Sequence, residues 1–119
     1  MDLAAFSRLN RRRCESELGF GHLLNSWSLS DWMTALAGEV GEAANIIKKL
    51  NRVRDGMERF NDATEGQLRN KLAKELGDAA CYLDLLCQAA GFDLGTLMIV
   101  TFNEVSKKYN APHIFSEED

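Results

Sequence analysis

The chain has 119 residues and a net charge of −4, with 45% hydrophobic and 27% charged residues. This length predicts one domain over residues 1–119, and the composition is that of a globular protein and not of a disordered chain. The acidic balance argues against nucleic acid as a partner, because nucleic-acid-binding domains carry basic surfaces. No apolar run is long enough to span a membrane and no signal peptide is recognisable, so we predict a cytoplasmic protein.

A first helix is predicted over residues 2 to about 18, and Gly19 and Gly21 end it. Its polar face carries four arginines: Arg8, Arg11, Arg12 and Arg13. Such a face can bind phosphate or a partner. The interpretation that we favour is a solvated helix surface.

Polar N-cap residues mark the starts of three further helices. A serine-based and a threonine-based capping box open the second and third helices, and an aspartate caps the fourth. The predicted helices cover residues about 29–54, about 65–90 and about 94–109. No alternating strand pattern or domain boundary lies between them. We therefore predict an all-α fold, a four-helix bundle in which the two longest helices are central.

Two carboxylate pairs lie within the long helices, Glu39 with Glu42 and Glu75 with Asp78. Residues three apart share one face of a helix, because each residue turns the chain by roughly 100°. Like charges placed in this way destabilise a helix by a few tenths of a kcal/mol. Each pair borders the predicted apolar face, at the edge of the core. This unfavourable arrangement, repeated on two helices, predicts a cation-binding site.

Two other features of the long helices carry packing predictions. Gly38 and Gly41 flank the first pair, and glycine inside a helix costs about 1 kcal/mol relative to alanine. They therefore predict the close approach of another helix or of a ligand. Asp84 lies on the side of the third helix away from its carboxylate pair and is predicted to be a solvated surface residue.

The four paired carboxylates form a hard, oxygen-only ligand set without a nearby thiol or imidazole. Such a set suits Mg²⁺ or Mn²⁺ and does not suit zinc. A di-iron bundle would need Glu-x-x-His on two helices, and both histidines lie outside the long helices. Because Mg²⁺ takes part of its shell from substrate phosphates, the pairs favour a polyphosphate ligand. The alternative is that they are solvated charges or ion-pair partners of neighbouring lysines: Lys49, Lys71 and Lys74.

Three segments, Trp32–Asn45, Lys74–Asp78 and Thr101–Lys107, resemble the MazG-like family of all-α nucleoside triphosphate pyrophosphohydrolases. The resemblance extends from about Phe6 to Tyr109. It implies Mg²⁺-dependent hydrolysis of nucleoside triphosphates, in particular deoxy forms, to the monophosphate and pyrophosphate, as nucleotide-pool housekeeping. It also implies a homodimer or a homotetramer with sites built between subunits.

The same resemblance assigns roles to individual residues. It implies that four carboxylates bind Mg²⁺ and take part in catalysis: Glu39, Glu42, Glu75 and Asp78. The family often has two adjacent glutamates at the start of the first motif, and Gly38 takes the earlier place here. This difference leaves a second interpretation open, a non-catalytic helical protein that binds a nucleotide or a partner with the same face.

Four further residues are predicted to bind the substrate. The resemblance implies that Lys71 and Lys107 contact phosphate oxygens and that Asn103 hydrogen-bonds a phosphate or the sugar. Trp32 lies on the same stripe as the first carboxylate pair. It either stacks on the base of the nucleotide or belongs to the core.

Overall fold

A computed structural model describes residues 1–116, and its secondary structure is helical. The four α-helices are α1 (Leu3–Glu15), α2 (Leu29–Arg54), α3 (Glu65–Ala89) and α4 (Leu94–Lys108). Two short 3₁₀ helices, Leu24–Ser26 and Glu58–Phe60, lie in the connections. No strand is present between residues 1 and 116. The predicted all-α class and the two long helices are confirmed.

Capping hydrogen bonds set the helix starts at the predicted places. The Ser28 hydroxyl accepts the amide of Asp31 at 3.1 Å, and the Asp31 carboxylate accepts the amide of Ser28 at 2.9 Å. Thr64 and Gln67 form the same reciprocal pair at the start of α3. The Asp93 carboxylate accepts the amide of residue 96 at the start of α4. These local interactions are readable from sequence because each joins residues within one turn.

The long helices α2 and α3 form an antiparallel hairpin that provides most of the tertiary packing. Trp32 near the start of α2 packs against Tyr82 late in α3, with 6.3 Å between ring centroids. Lys49 near the end of α2 forms an ion pair of 3.8 Å with Asp62, just before α3. This register places the middle of α2 opposite the middle of α3, where the four predicted carboxylates lie.

A small core forms where α1 and the loop after it cover one end of the hairpin. Cys14, Leu24, Trp32 and Leu85 are buried together. The Trp32 indole donates its N–H to the Leu24 carbonyl oxygen at 3.0 Å, so its polar atom is satisfied inside the core. Trp27 covers this core, with its ring centroid 4.6 Å from that of Trp32.

Asp84 is buried with 1% of its surface exposed, so the prediction of a solvated residue is wrong. Its carboxylate accepts hydrogen bonds from the Ser7 hydroxyl, from the Asn10 amide at 2.9 Å and from the Gln88 amide at 2.8 Å. Two of these donors belong to α1, which packs on this side of α3. Helical periodicity shows which residues share a face, but it does not show which faces a distant helix covers.

The last helix, α4, leaves the hairpin at a sharp angle. α3 and α4 are bent by 96° at the break between them, where Gly91 adopts φ +83°. The radius of gyration is 17.8 Å, whereas a compact domain of this length has about 14 Å. One chain therefore does not close a compact four-helix bundle. None of the four helices alone is long and apolar enough to cross a membrane, and α3 with α4 meets that criterion only as this bent pair.

Candidate metal centre

The antiparallel register brings the predicted carboxylates together. Glu39 of α2 and Glu75 and Asp78 of α3 each offer an oxygen atom, and these atoms all lie within 4.8 Å of one another. Glu42, one turn after Glu39, lies close enough for the charges of Glu75 and Asp78 to act on its carboxyl group. These four residues are called the carboxylate cluster below. All four predicted metal ligands therefore share one face of the hairpin.

Two oxygen atoms of the carboxylate cluster lack a hydrogen-bond donor. Oε2 of Glu39 and Oε2 of Glu75 are shielded from solvent and accept no hydrogen bond from any residue between 1 and 116. No ion pair within residues 1–116 includes a residue of the carboxylate cluster. Lys49, a possible partner of the cluster from sequence, instead pairs with Asp62. Buried carboxylate oxygens without a partner are unfavourable. The cluster therefore has unused capacity to bind a cation.

A side-chain hydrogen bond with Glu75 is the largest cause of a raised pKa at Glu42. The negative charge of Glu75, desolvation and the charge of Asp78 raise this pKa further. Lys74 acts in the opposite direction. A proton on Glu42 thus relieves part of the repulsion, and a divalent cation can replace that proton.

A cleft of about 340 Å³ adjoins the cluster. It is lined by eight residues from α1, the following loop, α2 and α3: Arg13, Phe20, Glu39, Lys74, Asp78, Cys81, Tyr82 and Leu85. Burial raises the pKa of the Tyr82 hydroxyl, as do the charges of Glu39 and Asp78, whereas Arg13 lowers it. The cleft therefore combines two carboxylates, two cations and two aromatic rings, which suits a charged ligand with an aromatic part.

Two of the predicted substrate-binding residues belong to the hairpin. Lys71 is exposed on α3, one turn before Glu75, and forms no hydrogen bond or ion pair within residues 1–116. It is free to contact a ligand that extends along α3. Trp32 is fully buried and its N–H is bonded to Leu24, which favours the core role over base stacking.

The other two predicted substrate-binding residues lie on α4. Lys107 is exposed in the last turn of that helix. Asn103 uses both atoms of its side-chain amide on the backbone of Phe115, donating at 3.0 Å and accepting at 2.8 Å. Neither residue lines the cleft. Within one chain, α4 does not bring them to the carboxylate cluster.

The predicted close approach at Gly38 and Gly41 is not found within the described chain. A Cβ atom built on either glycine would meet no atom within 4 Å. The same holds for Gly77 on α3. These glycines lie on open faces of the hairpin, where a second molecule can approach the backbone.

Arg13 and Phe20 line the cleft but are not among the predicted site residues. The arginine face of α1 offers a phosphate-binding interpretation, although a solvated surface is the one favoured from sequence, and Phe20 has no predicted role. The signal that was present is the pair Gly19 and Gly21 around Phe20, which indicates a tight turn. Only the fold shows that this turn lies beside the hairpin.

Comparisons of the chain with protein-family models, with curated proteins and with solved structures give no match. The resemblance of the motifs to the MazG-like family therefore stays an expectation.

Proposed function

We propose that the protein is a Mg²⁺-dependent hydrolase of nucleoside triphosphates, including deoxy forms, which releases the monophosphate and pyrophosphate and serves nucleotide-pool housekeeping. The main support is that carboxylate oxygens of Glu39, Glu75 and Asp78 lie within 4.8 Å of one another. The shielded Oε2 atoms of Glu39 and Glu75 have no hydrogen-bond donor within residues 1–116. The resemblance of the motifs to the MazG-like pyrophosphohydrolases points to the same reaction.

The carboxylate cluster fits Mg²⁺ or Mn²⁺ because it offers oxygen ligands from two helices and lies at an open cleft. Glu39, Glu42, Glu75 and Asp78 would hold the ions. When bound, the ions offset the repulsion within the cluster, neutralise charge on the polyphosphate and activate water for attack. The donor-free oxygens of Glu39 and Glu75 then gain the partner that the chain itself does not provide.

The residues of the chain orient the reactants. A carboxylate of the cluster positions the water for attack on the α-phosphorus and takes its proton. The bond between that phosphorus and the bridging oxygen breaks, so pyrophosphate leaves. Lys74, which lines the cleft, and Lys71, one turn before Glu75, contact phosphate oxygens as point charges.

Pyrophosphate release from a panel of ribo- and deoxyribonucleoside triphosphates tests the proposal. We expect release with Mg²⁺ and none with a chelator. Asp78→Asn should lower the rate by at least about 100-fold, since it removes one ligand of the reacting site. The matched control is Asp62→Asn, which changes an exposed aspartate outside the cluster and should leave the rate unchanged.

Two outcomes would overturn the enzyme proposal. One is the absence of pyrophosphate with every triphosphate in the panel. The other is full activity in Asp78→Asn. If no triphosphate is cleaved and nucleotide binding is the same in wild type, Glu42→Gln and Asp78→Asn, the non-catalytic binding protein becomes the better interpretation.

We also propose that the chain assembles with copies of itself, as a homodimer or a homotetramer. Apolar side chains exposed by more than a third lie along α2, α3 and α4: Met33, Val40, Ile47, Leu76, Leu83, Leu97, Met98, Val100, Phe102 and Val105. Several belong to the faces that the sequence predicts as core. A large exposed apolar surface marks an interface, and two-fold symmetry lets one patch cover its own copy.

The molar mass in solution, from light scattering coupled to gel filtration, tests the assembly. We expect two or four times the chain mass of 13.3 kDa. Phe102→Asp should reduce the mass, because a charge in the apolar face of α4 opposes its burial. Glu104→Gln, an exposed change on the same helix, serves as the control. A single species of 13.3 kDa for wild type at micromolar concentration would contradict the proposal.

A further inference from the structure

Arg13 is a cation at the cleft that the described chain leaves without an anionic partner. Its guanidinium lies 5.0 Å from the centroid of the Phe20 ring, and it forms no hydrogen bond or ion pair within residues 1–116. Arg11, two residues earlier on α1, instead forms an ion pair of 3.2 Å with Glu15. Although Arg13 lines the same cleft as two carboxylates, it is not within 4.0 Å of either.

The loop after α1 holds Phe20 beside this arginine. The Phe20 amide donates to the Arg13 carbonyl oxygen at 2.9 Å. A Cβ atom at Gly19 would lie 2.0 Å from the same oxygen, so glycine alone fits the turn. Gly21 adopts φ +73° and lets the chain turn back to the core. Two glycines thus fix an aromatic ring against the guanidinium, and this contact restricts the arginine at the cleft.

The charges of the cleft favour an anionic ligand once a divalent cation is present. Two carboxylates, Glu39 and Asp78, and two cations, Arg13 and Lys74, line it. One bound divalent cation offsets two of the four negative charges of the carboxylate cluster, and Arg13 and Lys74 offset the other two, so the cleft no longer repels an anion. Tyr82 adds a hydroxyl that forms no hydrogen bond within residues 1–116. A polyphosphate satisfies these groups together, because its oxygens accept from guanidinium, ammonium and hydroxyl donors.

We infer that Arg13 is a substrate-binding residue that holds the polyphosphate from the α1 side of the cleft, opposite the carboxylate cluster. This inference rests on the proposed function, since it takes the substrate to be a metal-bound polyphosphate. The planar guanidinium donates two parallel hydrogen bonds to phosphate oxygens, which an ammonium group cannot do. Phe20 is a positioning residue that acts through Arg13.

Calorimetric binding of inorganic tripolyphosphate in the presence of Mg²⁺ tests the inference without requiring turnover. We expect Arg13→Gln to weaken binding by about tenfold or more, the range for a lost hydrogen bond to a charged group. Arg12→Gln, an equal change of charge on the same helix but outside the cleft, should stay within about twofold of wild type. Mn²⁺ binding without tripolyphosphate should be the same in both variants, because the carboxylate cluster is intact.

Equal affinity in Arg13→Gln and Arg12→Gln would overturn the inference, and the enzyme proposal would stand if wild type still releases pyrophosphate. Absence of tripolyphosphate binding to wild type, together with absence of turnover, would overturn both. If circular dichroism shows that Arg13→Gln does not fold, the variants Arg13→Lys and Phe20→Leu are measured instead. We expect affinity to fall by about threefold in each. Wild-type affinity in both would overturn the inference.

Discussion

α3 carries carboxylates on two of its sides, and the two sides differ in what surrounds them. Asp84 is buried and accepts hydrogen bonds from Ser7, Asn10 and Gln88. Glu75, on the other side, faces further carboxylates, and its shielded Oε2 has no donor in the described chain. The same chemical group on one helix is therefore satisfied on one side and unsatisfied on the other.

We interpret the difference as that between a structural carboxylate and a proposed functional one. Asp84 ties α1 to α3, because two of its donors belong to α1. It thereby holds the helix that carries Arg13 to the cleft. The shielded oxygens of Glu39 and Glu75 have no such donors within residues 1–116, and in the proposed function a divalent cation takes their place.

The largest expected effect is on catalysis at the unsatisfied side. Glu75→Gln should lower kcat/KM for Mg²⁺-dependent pyrophosphate release by on the order of 1,000-fold. The reason is that Glu75 lies close to cluster carboxylates on both α2 and α3. Helix content by circular dichroism should not change. Glu104→Gln makes the same chemical change at an exposed site on α4 and should retain wild-type activity. If the activity of Glu75→Gln stayed within about threefold of wild type, Glu75 would have no catalytic role. The proposed difference between the Glu75 side and the Asp84 side of α3 would then be wrong.

The next effect is on stability at the satisfied side. Asp84→Ala removes the acceptor of three hydrogen bonds, those from Ser7, Asn10 and Gln88, and should lower the free energy of unfolding by about 2–3 kcal/mol. Urea denaturation at a fixed protein concentration measures the change. Asp62→Ala, at an exposed ion pair, should cost less than about 1 kcal/mol. A variant Asp84→Ala as stable as wild type would mean that this network does not hold α1.

Metal binding should stabilise the folded protein through the cluster alone. A ligand that binds only the folded state at ten times its Kd adds about 1.4 kcal/mol. We expect Mg²⁺ to raise the Tm of wild type and of a folded Asp84→Asn variant, but not that of Asp78→Asn. Thermal unfolding with Mg²⁺ and with a chelator at equal ionic strength measures this. An equal rise in Asp78→Asn would show that the cation binds elsewhere.

The smallest effect is a pH dependence in the metal-free protein. Because the pKa of Glu42 is raised, the folded state holds the proton more tightly than the unfolded state. Stability should therefore fall as pH rises from the ordinary value of 4.5 through the raised pKa. Glu42→Gln cannot ionise and should lose this part of the slope. Tm values of both proteins across this range, with a chelator, provide the comparison, and identical slopes would contradict it.

The sequence predicted the features that depend on neighbours in the chain. The capping residues Ser28, Thr64 and Asp93 start their helices as expected, because each cap bonds within one turn. The carboxylate cluster could also be predicted from the sequence. The members of each pair lie three residues apart on one helix face, and an antiparallel hairpin aligns the two pairs. Glu39 and Asp78 meet for this reason.

Features that depend on distant packing could not be predicted in the same way. The burial of Asp84 follows from the placement of α1, which no periodicity in α3 encodes. The same placement brings Arg13 to the cleft. Asn103 is bound to the backbone of Phe115, a contact set by how the chain folds back after α4. The side chain alone gave no sign of that partner.

We propose that the unsatisfied carboxylates hold a divalent cation. Titration of Mn²⁺, followed by the electron paramagnetic resonance of the free ion, measures this binding. We predict that wild type and Asp84→Asn bind Mn²⁺ equally and that Glu39→Gln binds it at least about tenfold more weakly. Absence of Mn²⁺ binding to wild type, or equal binding to Glu39→Gln, would contradict the claim.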